Sequence, residues 1–198
     1  METMSDRTAV EGVSDKRTAI LEATLDLISE RGFHNTPVSL IARTAGVSAG
    51  IVYHYFSSKE ELINELYRGV KLETIRAMLA DYARDLSLQE RFLGIWSNYV
   101  QFSLNQPTKG LFLEQFENSP YIKHVMGEDF VQALAPFFDL FEQGMDEGVF
   151  KPLPPVVLFD LGFSAASSLV KRHVAGVVVL DDELVQAAAN ACWDAVLR

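Results

Sequence analysis

One cysteine, Cys192, occurs in 198 residues, so no disulfide can form within the chain. A lone thiol fits a reducing cytoplasm, and near the end of the chain it reads as a small apolar packing residue. Proline is scarce at seven residues, and the absence of long polar tracts excludes extended disorder. The densest apolar stretches, such as residues 175–180, reach only six to ten residues, too short to span a membrane. Residues 1–14 lack the apolar core of a signal peptide and read as a disordered tail. Together these absences predict a cytoplasmic protein with no membrane partner.

Metal-ligand patterns are also missing. His34, His54, His124 and His173 are scattered, with no His-x3-His and no Cys pair. No glycine-rich phosphate loop follows a strand, so neither a metal nor a cofactor is expected. Positive charge is short as well. The net charge is −10, with six Lys/Arg against eight Asp/Glu in residues 1–60 and eleven against nineteen in the remainder. Any binding to phosphate must therefore come from a few placed donors rather than a diffuse positive field.

What is present is apolar residues, 48% of the chain, recurring at helical spacing. Ala19, Ile20, Ala23, Leu27 and Ile28 form a stripe on a first helix, from Ser14 or Asp15 to Arg31. After residue 58 the spacing predicts helices over 59–84, 88–105, 108–118, 128–147, 156–175 and 182–197. Ser58 with Glu61, and Ser87 with Glu90, have the spacing of capping boxes. Ser119-Pro120 should stop the helix over 108–118, and Pro136 should kink or divide 128–147. Val177-Val178-Val179 is the sole strand candidate, and it is short. The fold class is all-α.

The chain is organised around Thr36 to Lys59. Pro37 suits the first turn of a helix carrying Leu40, Ile41, Ala42 and Ala45, and Gly46 can take the left-handed conformation that ends it. Ser48 caps a second helix, from about Ala49 to Phe56. On it Val52 and Phe56 can face inward while Ala49, Gly50, Tyr53 and His54 face outward. Two helices joined by a glycine-containing turn form a helix-turn-helix, whose second helix can enter the DNA major groove. The same residues match G-x-S-x-G, with Ser48 as a hydrolase nucleophile. That motif needs a strand before the glycine, and residues 38–45 have helical spacing instead. No enzyme is expected.

The segment from Ile41 to Leu62, IARTAGVSAGIVYHYFSSKEEL, resembles the DNA-binding signature of the TetR/AcrR family of bacterial transcriptional repressors. The matching parts are Ile41-Ala42, Ala45-Gly46-Val47-Ser48, Tyr53-His54-Tyr55-Phe56 and Ser58-Lys59-Glu60-Glu61-Leu62, within residues 16–66. The resemblance implies a helix-turn-helix domain over 15–60 and a helical effector-binding and dimerisation domain over 61–198. It further implies that Thr36, Ser39, Ser48, Tyr53, His54 and Lys59 lie along the DNA backbone, with Ala49 and Gly50 at the base edges. Many family members carry a polar residue at one of those last two positions. Here direct readout is limited to methyl contact and close backbone approach.

In the body the resemblance implies a cavity for a small, apolar or aromatic effector, with Trp96, Tyr99, Phe112 and Phe116 as lining residues; their alternative role is ordinary core. It also implies a homodimer through the last two helices, presenting two heads to a pseudo-palindromic operator. The residues available are Leu161, Gly162, Ala165, Ala166, Leu169 and Val170, then Leu184, Val185, Ala188, Ala191, Cys192 and Ala195. The function expected is a ligand-responsive regulator, a repressor released from its operator by effector. The competing reading, suggested by the acidic charge and Ala49-Gly50, is a helical ligand- or protein-binding module with little DNA affinity.

Overall fold

The computed structural model describes the backbone of residues 4–119, 121 and 127–198, and side chains from Asp15 onward within those ranges. Pro120 and His124, named above, lie outside the described residues. The described chain forms α1 (Met4–Arg31), α2 (Val38–Thr44), α3 (Ala49–Tyr55), α4 (Lys59–Met78), α5 (Leu88–Asn105), α6 (Pro107–Glu117), α7 (Glu128–Asp146), α8 (Pro155–Val174) and α9 (Asp182–Val196). No strand occurs among the described residues, and Val177–Val179 is not one. An antiparallel bridge joins Phe150 to Leu197. The all-α expectation holds.

Two compact units result: residues 1–70 with 108–125, and residues 71–107 with 126–198. In the first unit, Ile20 and Leu27 of α1, Ile41 and Ala42 of α2, Val52 of α3, Phe56 and Leu62 form one core. Residues three, four or seven apart along α1 face the same way, which is why Ile20, Ala23, Leu27 and Ile28 are all buried. Helix α6 belongs to this unit. Its Phe112 and Phe116 rings meet Phe33 at 6.3 and 6.4 Å, and Phe116 stacks on Tyr67 at 3.9 Å.

The second unit is held by aromatic rings. Phe92 meets Phe163 at 4.8 Å and Trp193 at 5.4 Å, and Phe150 meets Phe141 at 5.7 Å and Trp193 at 5.3 Å. Gly162 lets α8 approach Phe92, whose ring would lie 2.9 Å from an added Cβ. Gly144 of α7 lies still closer to the Phe150 ring. Gly162, Ala166 and Val170 of α8 and Val185 and Cys192 of α9 are buried within this unit. Part of each small-residue face is therefore internal core. Leu161, Ala165, Ala191 and Ala195 remain exposed.

Four features differ from expectation. Helix α1 starts at Met4 rather than near Ser14, since no proline interrupts residues 4–31. Helix α4 ends at Met78 rather than Arg84. The Tyr82 hydroxyl donates to the Pro136 carbonyl at 3.2 Å and Arg84 pairs with Asp139 at 2.6 Å, so tertiary bonds replace further helix. Helix α7 runs undivided through Pro136. An interior proline costs ~3 kcal/mol or more. Burying Phe130, Phe137, Leu140 and Phe141 on one face contributes about 1.5–3 kcal/mol each and outweighs it. The capping box at α4 is shifted: Ser58 Oγ accepts from Glu61 N at 3.0 Å, but the Glu61 carboxylate accepts from Ser57 N at 2.5 Å. The box at Ser87 and Glu90 forms fully.

Candidate nucleic-acid interface

Helices α2 and α3 have seven residues each, too short to be stable alone, so their ends are fixed individually. Pro37 sits at the N-cap of α2, one position before its first turn. Gly46 takes φ +68°, and Val47 N donates back to the Ala42 carbonyl at 2.9 Å, closing the turn. Ser48 then caps α3, its Oγ accepting from Ile51 N at 3.3 Å. That bond is a helix cap rather than a strained elbow, and the segment before Gly46 is α2 rather than a strand. The hydrolase reading of Ser48 therefore fails.

The orientation of α3 follows from Val52 and Phe56, both 1% exposed. Ala49, Gly50, Tyr53 and His54 are then turned outward, and Tyr53 is 54% exposed. Ser39 is exposed on α2. Arg43 lies four residues further along α2 and is exposed too. Sequence reasoning did not consider it as a donor, although its i,i+4 spacing from Ser39 gave the signal. These groups share the exposed side of a helix pair whose other side is core.

Two expected contacts are placed differently. Thr36 is fully buried, and its hydroxyl is shared between the Gly32 carbonyl at 2.9 Å and the Leu27 carbonyl at 3.3 Å. It locks the α1–α2 connection. Lys59 is half-buried and its Nζ donates to the Phe33 carbonyl at 2.5 Å. Burial pushes the Lys59 ammonium below its ordinary pKa. A cleft of about 590 Å³ elsewhere in this unit is lined by Glu60, Glu61 and Glu65 along with Arg17 and Arg68, a charge balance poorly suited to phosphate.

The effector candidates divide between the units. Phe112 and Phe116 are fully buried packing partners of Phe33 and Tyr67 in the first. Trp96 is fully buried and Tyr99 half-buried in the second. Among the described residues Trp96 Nε1 has no hydrogen-bond partner. The indole still influences the Cys192 thiol, whose pKa burial raises and Trp96 partly lowers. No cluster of three or more potential metal ligands occurs among the described residues. Among them, too, no helix is long and apolar enough to cross a membrane.

A glycine-ended helix, a serine-capped second helix with its polar side outward and a third helix starting three residues after the second's C-cap define a helix-turn-helix of DNA-binding type. Comparison with known proteins agrees. The model described as "Bacterial regulatory proteins, tetR family" matches residues 20–66, and "Tetracyclin repressor-like, C-terminal domain" matches residues 87–197. The HTH-type transcriptional repressor KstR2 of Mycobacterium tuberculosis is 32% identical over 161 residues, covering 71% of this chain and 72% of its own length. A TetR family transcription regulator from Marinobacter aquaeolei superposes with a TM-score of 0.85 at 29% identity, covering 98% of this chain and 99% of that one. A putative TetR family regulator from Vibrio parahaemolyticus gives 0.78 at 34% identity, covering 92% and 99%. The chain belongs to the TetR family of DNA-binding transcriptional regulators.

Proposed function

We propose that the protein is a homodimeric repressor that binds a pseudo-palindromic operator through α3 and releases it when a small molecule occupies the body. The observation that carries the DNA-binding half is the division of α3: Val52 and Phe56 inside, Ala49, Gly50, Tyr53 and His54 outside. In this reading Ser39, Arg43, Ser48, Tyr53 and His54 donate to phosphates, while Ala49 and Gly50 allow the helix to approach base edges closely. Thr36 serves by holding the connection that aims α2. Repression, rather than activation, is supported by the repressor among its relatives.

The dimer is supported by α8 and α9, which leave Val157 and Leu161 at 38% and 45% exposure, together with Ala165, Ala187, Ala191 and Ala195. Small residues permit close helix approach, and an isologous four-helix contact would bury them. Trp96 and Tyr99 are the proposed effector contacts in the body, and an apolar or aromatic effector suits them. For Phe112 and Phe116 the same role rests on family resemblance alone. Effector would act by preferring the dimer whose two heads are wrongly spaced for the operator, a population shift set by its differential affinity.

The test is binding of the purified protein to DNA flanking its own gene, across a salt series, with unrelated DNA as competitor. Saturable, competitor-resistant binding with a shallow salt dependence is expected, since few cations face the DNA. Absence of binding to that DNA and to any sequence selected from a random pool would favour a helical binding module instead, in keeping with the net charge of −10.

A further inference from the structure

Three contacts converge on the three-residue joint between α3 and α4. The Arg17 guanidinium lies 5.5 Å from the Phe56 ring centroid, at the C-cap of α3. Ser57 N donates to the Glu61 carboxylate at 2.5 Å. Lys59 Nζ reaches back across 26 positions of sequence to the Phe33 carbonyl, also at 2.5 Å. That carbonyl is well anchored, because the Phe33 ring is held by Phe112, Phe116 and Tyr121 at centroid distances of 6.3, 6.4 and 5.4 Å. Lys59 is also the first residue of α4, only three residues beyond the C-cap of the recognition helix.

We infer that Lys59 is a positioning residue, which holds the start of α4, and through the joint the C-terminal end of α3, against the α1–α2 connection instead of neutralising a DNA phosphate. A charge-assisted bond to a carbonyl on a clamped aromatic residue fixes one end of α3, as Ser48 fixes the other. The tilt of Tyr53 and His54 toward DNA then depends on a contact that touches no DNA. This inference rests on the DNA-binding reading for its consequence, but the pin itself can be measured without DNA.

The experiment uses the full chain as wild type, Lys59→Met and Lys59→Arg, with operator DNA obtained by selection from a random pool. The positioning role predicts that Lys59→Met binds about tenfold more weakly, the scale of losing a hydrogen bond from a charged group. The slope of log affinity against log salt should be unchanged, and Lys59→Arg should restore most of the affinity. A phosphate ligand would instead remove about 0.9 from that slope for each lysine lost. Such a fall overturns the inference while leaving DNA binding intact. In the DNA-free protein, hydrogen exchange at the Phe56 and Ser57 amides should quicken about tenfold in Lys59→Met and return toward wild type in Lys59→Arg, by the same bond. Unchanged exchange also overturns it. If the wild type selects no DNA at all, the DNA-binding reading fails separately, and exchange alone decides whether Lys59 is a pin.

Discussion

The two units of this chain keep their helices in place by different means. In the first, α2 and α3 of seven residues each depend on single bonds at their ends: the Gly46 turn, the Ser48 cap, the Thr36 hydroxyl and the Lys59 ammonium. In the second, helices of fifteen to twenty residues lean on rings, with Phe92, Phe141, Phe150, Phe163 and Trp193 in mutual contact. A surface that must present polar groups at fixed angles cannot be built from core alone. Short helices capped atom by atom give that control, whereas the second unit is built by filling volume with rings. The first unit should therefore be sensitive to lost donors and backbone constraints, and the second to added or removed bulk.

The largest effects come from the cores, where the contrast should vanish. Phe56→Ala in the first unit and Phe92→Ala in the second each remove a ring exposed by 1% or less, and each should cost about 3–5 kcal/mol in denaturant unfolding. Next comes overpacking, which should single out the second unit. Gly144→Ala drives a methyl into the Phe150 ring and should cost about 1–3 kcal/mol. Gly69→Ala, on α4 of the first unit with open space around it, should be neutral or stabilising by less than about 1 kcal/mol. If both glycines tolerate alanine equally, the volume argument for the body is wrong.

Smaller effects sharpen the other side. Ser48→Ala removes the α3 cap and should cost about 1 kcal/mol of stability, with a matching loss of DNA affinity. The smallest effect tests a device the units share. Glu61 accepts from Ser57 and Glu90 from Ser87, and these hydrogen bonds hold both carboxyls below the usual carboxylate range. A lowered folded-state pKa gives stability that is present above the unfolded value of about 4.3 and fades as pH falls through the folded one. Glu61→Gln and Glu90→Gln should each flatten the acid limb of the stability curve by a similar small amount. Both groups sit at the surface, so neither effect should be visible near neutral pH as a change in that slope.

The first unit was the more legible in sequence for the same reason it is built differently. Gly46, Ser48, Val52 and Phe56 act through local rules, a left-handed turn, an N-cap and an i,i+4 pair, and each stands where those rules put it. What the sequence does not spell out is a polar side chain's bond to a partner distant along the chain. The Thr36 bond to Leu27 and the Lys59 bond to Phe33 span 9 and 26 positions, and no local pattern encodes them. In the second unit the limits of α5 at Leu88 and Asn105 were readable from a cap and a breaker. The inward faces of α8 and α9 were not, because small apolar residues encircle much of both helices and periodicity cannot choose between own core and second chain. Helix α7 shows the converse: its proline signal was clear and was overridden by four buried apolar side chains.

The central claim is that the outward face of α3 reads DNA, and the most direct measurement compares wild type with Tyr53→Ala in titrations of selected operator DNA. Tyr53 is 54% exposed, so its loss should leave unfolding stability within about 0.5 kcal/mol. Operator affinity should nevertheless fall about fivefold or more, the loss of one side-chain hydrogen bond to phosphate. Equal operator affinity in the two proteins would contradict the claim and remove Tyr53 from the interface.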